Sequence, residues 1–442
     1  MQDIRTDLLV AGGGLAGCFA AIAAKRTSPD ITVWLVERYG FLGGMATAGY
    51  VFPFMRYYTG YTKDNPEPKR LIGGLFQEMN DLMHDNGYTE PKASVRDFYS
   101  RFDPVMIRCI LDKMVKDAGV NLLFHGLVNQ VNTESSGKDG QKISSVTVQT
   151  KAGPIKFNPK VIIDSTGDAD IIFHAGGKWE MGREEDGLVQ PATLNFRIGN
   201  IDPDHCVPAF NGFYRREIAE KAMEEKKAGN PLTPRDDCLM FFAGNNQYHF
   251  NQTRVAGFDF TDPFDRSKAE IEGRAQAERY IKFLRDKIEG YENSTVVGMG
   301  AELGVRESRR IIGEYVFTEE DLMGCKKFDG RIALGNYPVD IHDPKGSATT
   351  DIRRIPEGDW YTIPYLSLVP KGLVNALVAG RPISSTHVAH SAMRVMPICS
   401  AIGHAAGVAA GLILSRFPNI ALKEVPVGEI QKTLRSQGAI LE

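Results

Sequence analysis

The chain has 442 residues, 43% hydrophobic and 24% charged, close to the globular average, which excludes disordered and fibrous classes. Its length suggests about three structural units, or two larger ones. With 52 Lys and Arg against 55 Asp and Glu, the net charge of −3 gives no electrostatic footing for a nucleic acid or a membrane surface as partner.

Residues Thr6 to Val10 read as a short buried strand, Leu15 to about Thr27 as a helix, and Thr32 to Val36 as a second strand ending at Glu37. Leu8 to Ala24 could pass for the core of a signal peptide. The residues before it, Asp3, Arg5 and Asp7, are not a basic leader, and Gly12, Gly13, Gly14 and Gly17 interrupt any single helix. Strand, glycine turn and helix fit better, and no other segment reads as a membrane span. Residues 40–100 are rich in Gly, Tyr and Pro and predict loops with short helices. Asp103-Pro104 opens a helix with Ile107, Ile110, Leu111, Met114 and Val115 on one face, ended by Gly119. A strand over Val120–Phe124 and a small meander over 127–163 follow, closing on Val161-Ile162-Ile163. Between 180 and 300 the pattern changes: charged helices over Arg215–Lys227 and Lys268–Glu289 flank strand-like Thr193–Ile198. From Leu373 a buried strand returns, then a small-residue helix from about Pro397 to Leu414 with Gly403, Gly407 and Gly411 along one stripe.

Gly is in excess, 45 residues or about 10% against a usual ~7%. Three of these form Gly12-x-Gly14-x-x-Gly17, a weak motif by itself. Here a strand precedes it, a helix follows, and Glu37 lies twenty residues on, which is the arrangement of a dinucleotide site. Gly12 makes the turn, Gly14 lets a pyrophosphate reach the backbone, Gly17 lets helix and strand pack, and Glu37 can accept hydrogen bonds from a ribose. The six cysteines include no C-x-x-C and suit neither a disulfide scaffold nor a zinc ribbon, so a reducing, cytoplasmic compartment is expected. Gly298-x-Gly300-x-x-x-Gly304 is not expected to be a second nucleotide site, because the charged VRESRR follows it.

Further segments carry a family resemblance. Glu37-Arg38-Tyr39-Gly40-Phe41-Leu42-Gly43-Gly44-Met45-Ala46 and Val161-Ile162-Ile163-Asp164-Ser165-Thr166-Gly167-Asp168 look like the two cofactor turns of glutathione-reductase-type FAD folds. Glu302–Ile311, Tyr337–Pro344 and Tyr361–Leu368 resemble the bacterial FAD-dependent oxidoreductase group. The resemblance spans Thr6 to about Leu414. It implies an α/β fold, with a Rossmann-like FAD-binding domain of parallel sheet plus β-meander over 1–180 and 370–442. An inserted α+β substrate domain would occupy 181–369. It implies noncovalent FAD held by Gly12, Gly14, Leu15, Ala16, Gly17, Glu37, Arg38, Gly43, Gly44, Met45, Ala46, Val128, Thr166, Gly167, Asp168, Gly380, Arg381, Val395 and Met396. Many relatives place an Asp on the ribityl chain where this chain has Arg381. The cysteine pair of the disulfide reductases is absent after Gly44, so thiol chemistry is not expected.

The expected reaction is hydride transfer between a small polar substrate, anionic or sugar-like, and flavin N5, with a separate electron acceptor or donor. Flavin chemistry needs a proton acceptor and often a cation. His342 and His390 are the candidate bases, and Arg394 and Arg306 the candidate substrate-orienting cations. The alternatives are a fumarate-reductase-like C=C reductase, with an arginine as acid, and an FAD-containing binding or modification protein. His387-x-x-His390 has no evident third metal ligand.

Overall fold

The structure, a computed structural model, describes residues 2–60, 68–89, 99–137, 140–205, 216–418 and 420–442. Leu8 to Ala11 are at most 1% exposed, an apolar run that suits a strand covered on both faces. This strand, Gln2–Ala11, lies at the centre of a seven-stranded sheet. On one side it pairs in parallel with Val33–Val36, which pairs in turn with Asn121–Leu123. On the other side runs the long strand Gly153–Asp164, also parallel. The far edge of Gly153–Asp164 is shared. Its first half pairs antiparallel with Gln141–Thr150 of the meander, and its end pairs in parallel with the C-terminal strand Ala376–Val378. One strand therefore joins the meander to the parallel sheet and brings residue 380 beside residue 166.

Two helices, Leu15–Thr27 and Met396–Ser415, pack on each other and on strands of this sheet. Their contact is set by glycine: a Cβ on Gly403 would fall 2.1 Å from the Ala16 carbonyl oxygen, and one on Gly407 2.1 Å from that of Ala20. Such spacing lets the backbones touch and aligns both N-termini on the same side of the sheet. Met396–Ser415 is also the one helix among the described residues long and apolar enough to cross a membrane, contrary to the expectation that no other segment qualifies. Nearly all of it is buried in the core, with His404 hydrogen-bonded to Gln437 at 2.8 Å, so its apolarity is that of a core helix.

The helix expected after Asp103 runs over Met106–Asp117 and buries the five predicted side chains; Asp103 accepts hydrogen bonds from Val105 and Met106 N–H. The region expected to be loops and short helices holds the amphipathic helix Leu75–Asp85. Arg216–Lys227 forms a helix as its charge pattern suggests, Arg215 lying outside the described residues. The second charged helix begins earlier than expected, at Pro263, because Asp262 caps it through Phe264 and Asp265 N–H.

A second core forms from residues between Val189 and Val305. It packs the 25-residue helix Pro263–Lys287 on an antiparallel sheet of four strands, in the order Met240–Gly244, Gln247–Phe250, Phe196–Gly199 and Thr295–Met299. Phe196 and Phe250 stack at 5.1 Å with Tyr280 of the helix beside them. The buried side chains between Ile311 and Val369, expected in the inserted domain over 181–369, join the first core. Gly298 sits on an edge strand of this antiparallel sheet, which is no place for a dinucleotide turn.

Candidate active site

A single cavity of about 2040 Å³ runs between the two cores. Its first end is built on the glycine turn. Gly12 has φ +99, and a Cβ there would lie 2.2 Å from the Ser165 carbonyl oxygen; one on Gly17 would lie 1.8 Å from that of Gly12. These two glycines are demanded by the protein's own packing. Gly14 is different: its φ is −65, and an added Cβ would meet only the Gly44 Cα, at 3.9 Å. Its open face borders the cavity, so what requires a glycine there is whatever enters. The helix beginning at Leu15 has no side-chain cap and no acid in its first turn, leaving its N–H groups and positive dipole end to the cavity.

Glu37, 6% exposed, accepts from Gly13 N–H at 2.6 Å and Tyr39 N–H at 2.8 Å, tying the glycine turn to the end of the second strand. Burial pushes its carboxyl upward against those two bonds. Arg38 donates to Glu302 Oε2 at 2.5 Å, and Arg266 reaches the same oxygen at 2.7 Å, so the mouth is bridged by an ion triad from both cores.

The middle of the cavity is the turn after Gly153–Asp164. Asp164, fully buried, accepts from Thr166 N–H and Oγ1–H and from Ile172 N–H, which shapes the Ser165–Asp168 turn. Burial pushes its carboxyl up to about 6. Arg381, at the position where relatives place an acid, donates to the Gly167 carbonyl at 2.8 Å and contacts Asp168 at 3.2 Å. It therefore holds the turn. Arg309 binds the Asp168 carbonyl and Asp170, each near 3 Å. Opposite, the uncapped helix starting at Met396 presents Val395, Met396 and Cys399. Burial raises the Cys399 thiol to about 12, so it stands as a neutral thiol, and its Sγ–H donates to the Arg394 carbonyl at 3.2 Å.

Of the residues expected to hold the cofactor, Gly12, Gly14, Leu15, Ala16, Glu37, Arg38, Gly43, Gly44, Met45, Thr166, Gly167, Asp168, Gly380, Arg381, Val395 and Met396 line the cavity. Gly17, Ala46 and Val128 do not: Gly17 packs against Gly12, Ala46 is fully buried, and Val128 pairs with Val148 in the meander.

The far end gathers charged groups. Tyr337 donates to Asp340 Oδ2 at 2.9 Å, and Arg394 reaches the same oxygen at 3.3 Å. His342 Nε2 lies 3.6 Å from Asp340 Oδ1, and its Nδ1 lies 2.9 Å from Arg254 Nη2. A guanidinium only donates, so Nδ1 accepts and the ring proton sits on Nε2. Burial, then the charges of Arg306, Arg235, Arg394 and Arg254, hold this imidazole well below its usual range, hence neutral. Arg306 binds the Pro191 carbonyl, Thr193 Oγ1 and the Asn251 side chain, all neutral. His342, Arg306 and Arg394 line the cavity; His390 does not, being 1% exposed on the helix His387–Met393. His387 bonds Glu307, which also holds Arg310, so these form a buried structural network. No group of metal ligands occurs among the described residues. Arg235, which sequence reasoning missed, lines the same end, paired with Asp237 at 2.6 Å. No sequence signal marked it, because it lies in a loop of the insertion.

The residues fit a flavin dinucleotide: a turn with one glycine open to the cavity, two uncapped helix N-termini facing it, and a polar far end. The family model described as FAD dependent oxidoreductase matches residues 7–434. No curated protein matches the chain. Among solved structures, a geranylgeranyl bacteriochlorophyll reductase-like protein from Thermoplasma acidophilum is 12% identical, over 98% of this chain and 83% of its own, with a TM-score of 0.46. A triple mutant of a flavin-dependent brominase is 11% identical over 98% and 86%, TM-score 0.46. The p-nitrophenol 4-monooxygenase of Pseudomonas putida DLL-E4 is 9% identical over 98% and 84%, TM-score 0.40.

Proposed function

The chain belongs to the FAD-dependent oxidoreductase family, and on that premise we propose that it is a dehydrogenase acting on a small, polar, anionic substrate, in a cytoplasmic setting. The observation that supports this is the continuity of one cavity from the glycine turn to the Arg306, Arg394, His342 and Asp340 cluster. FAD, held noncovalently along the glycine turn and the two helix N-termini, would supply the two-electron acceptor. The chain's own residues do the rest. Arg306, whose partners are all neutral, and Arg394 orient the substrate's acid group.

Of the two histidines expected to act as base, only His342 borders the cavity, and its Nδ1 lone pair is engaged by Arg254. Asp340 is therefore the better acceptor for a substrate hydroxyl proton, with His342 and Tyr337 orienting its carboxylate. We place the electron acceptor outside this chain.

The test is anaerobic bleaching of the purified yellow protein by a panel of hydroxy acids, sugars and amines. One hydroxy acid should bleach it, and Asp340→Asn should slow that bleaching on the order of 100-fold or more. Bleaching by dithionite alone, with reoxidation by an enoate, would replace this reading with the reductive one. A rate unchanged in Asp340→Asn would remove Asp340 as the base.

A further inference from the structure

Asp340 and His342 stand on a ribbon of only two strands, Val339–His342 and Thr350–Arg353, joined by a turn over 343–349. Val339 is part of the first core, and Ser391 and Arg394 bond the Asp340 backbone from that side. The tip of the ribbon crosses to the second core. A Cβ on Gly346 would fall 2.8 Å from that of Ala256, so the turn lies directly on the segment after Gln247–Phe250. Arg254, in that segment and 2% exposed, donates to the Ser347 and Thr349 carbonyls, Thr350 Oγ1 and His342 Nδ1.

The arginine is itself fixed from behind. Arg254 N–H donates to Gln276 Oε1 at 2.8 Å, and Gln276 Nε2 returns a bond to the Arg254 carbonyl at 3.1 Å. Gln276 is buried on the helix Pro263–Lys287, so the anchor is the second core. Asp237, Asp343 and Asp340 place negative charge around Arg254 against the positive charge of Arg235. Arg254 is not among the residues bordering the cavity, and its bonds stay within the protein.

One of these bonds decides the state of the imidazole. Thr350 Oγ1, 3.3 Å from His342 Nδ1, can donate or accept and would permit either neutral tautomer. Arg254 can only donate, so it excludes a proton on Nδ1. The proton on Nε2 then faces Asp340 Oδ1 at 3.6 Å, whereas the other tautomer would set a lone pair against that oxygen.

We infer that Arg254 is a positioning residue: it latches the ribbon to the second core and, by fixing the His342 tautomer, keeps the Asp340 carboxylate aligned for the substrate proton. Its effect on rate rests on the reading above of Asp340 as base; its effect on the tautomer does not.

The experiment uses the FAD-loaded protein with 15N-labelled histidine rings, read by NMR at pH 7, His342 being assigned by its loss in His342→Gln. In the parent, His342 should show one neutral ring protonated at Nε2. Arg254→Met should add the Nδ1-protonated form to at least about one part in ten. With the hydroxy acid that bleaches the flavin, Arg254→Met should lower the saturated rate on the order of tenfold. The half-saturating concentration should stay nearly unchanged, because Arg306 and Arg394 remain. The double variant with His342→Gln should match His342→Gln alone within about twofold, since the arginine acts through the ring. Arg254→Lys, again only a donor, should keep the Nε2 proton and most of the rate, and it replaces the methionine variant if that one does not fold. An Nδ1-protonated ring in the parent, an unchanged tautomer in Arg254→Met, or additive losses in the double variant would overturn the inference. A ring held as Nε2–H in the parent and released in Arg254→Met, in a protein that no donor bleaches, supports the latch and rejects the dehydrogenase.

Discussion

Glycines that look equivalent in the sequence do different work in the fold. Gly17 is required by the backbone it touches, whereas Gly14 has ordinary dihedrals and an open side toward the cavity. Gly14→Ala is therefore expected to melt within a few degrees of the parent while losing FAD affinity about tenfold or more, roughly 1.4 kcal/mol. Gly17→Ala should lose the native fold, as circular dichroism would report. Equal effects of the two on melting would contradict this division. Asp164 makes a pH prediction. Its folded pKa of about 6 stands above the ordinary 3.8, so the fold binds its proton more tightly than the unfolded chain does. The resulting stabilisation is complete below about pH 4 and is lost as pH rises through about 6. Relative to Asp164→Asn, the parent should lose stability across that window, by at most on the order of 3 kcal/mol. Urea midpoints of both proteins from pH 4 to 7 measure it, and a constant difference would show that Asp164 does not titrate there.

At the scale of elements, the site depends on two helices starting at the same place. Leu15–Thr27 and Met396–Ser415 are nearly four hundred residues apart in the chain, and their glycine and alanine stripes lock them side by side. Gly407→Val would drive a side chain into the Ala20 carbonyl, displacing one helix from the other. Overpacking of this kind costs about 1–3 kcal/mol, and both uncapped N-termini should shift with it. The expected result is a lowered urea midpoint together with weaker FAD retention on gel filtration. A lowered midpoint with full flavin retention would mean that the helix termini do not hold the cofactor. Both helices were legible in the sequence, because small residues in an apolar run report close packing. Their mutual contact was not, since nothing in either segment names its partner.

For the whole molecule, the cavity exists because two cores face each other, and the Arg38–Glu302–Arg266 triad joins them at its mouth. Glu302→Gln leaves two guanidiniums sharing a neutral amide. Charge-assisted bonds of this kind are worth about 1.5–3 kcal/mol, so FAD should bind roughly tenfold more weakly while each core keeps its secondary structure. Flavin fluorescence titration checks this, and an unchanged affinity would show that the bridge does not hold the cofactor in place. The cofactor end could be read from the sequence because its chemistry is local: a strand, a turn with demanding dihedrals and a helix start leave their glycines at fixed spacing. Gly12, Gly14 and Glu37, which that spacing marks, border the cavity, while Gly17, the third glycine of the spacing, packs on Gly12; the other expected residues came from the family resemblance. The substrate end could not be read in the same way. Arg235, Arg254, Arg306, Arg394 and the pair Asp340 and His342 come from five separate segments, and a charged side chain looks the same in the sequence whether it faces solvent or a cavity. The sequence alone determined the cofactor and the class of fold. Which histidine borders the site and which nitrogen of its ring carries the proton were decided by tertiary packing, because each depends on neighbours that the chain supplies from a distance.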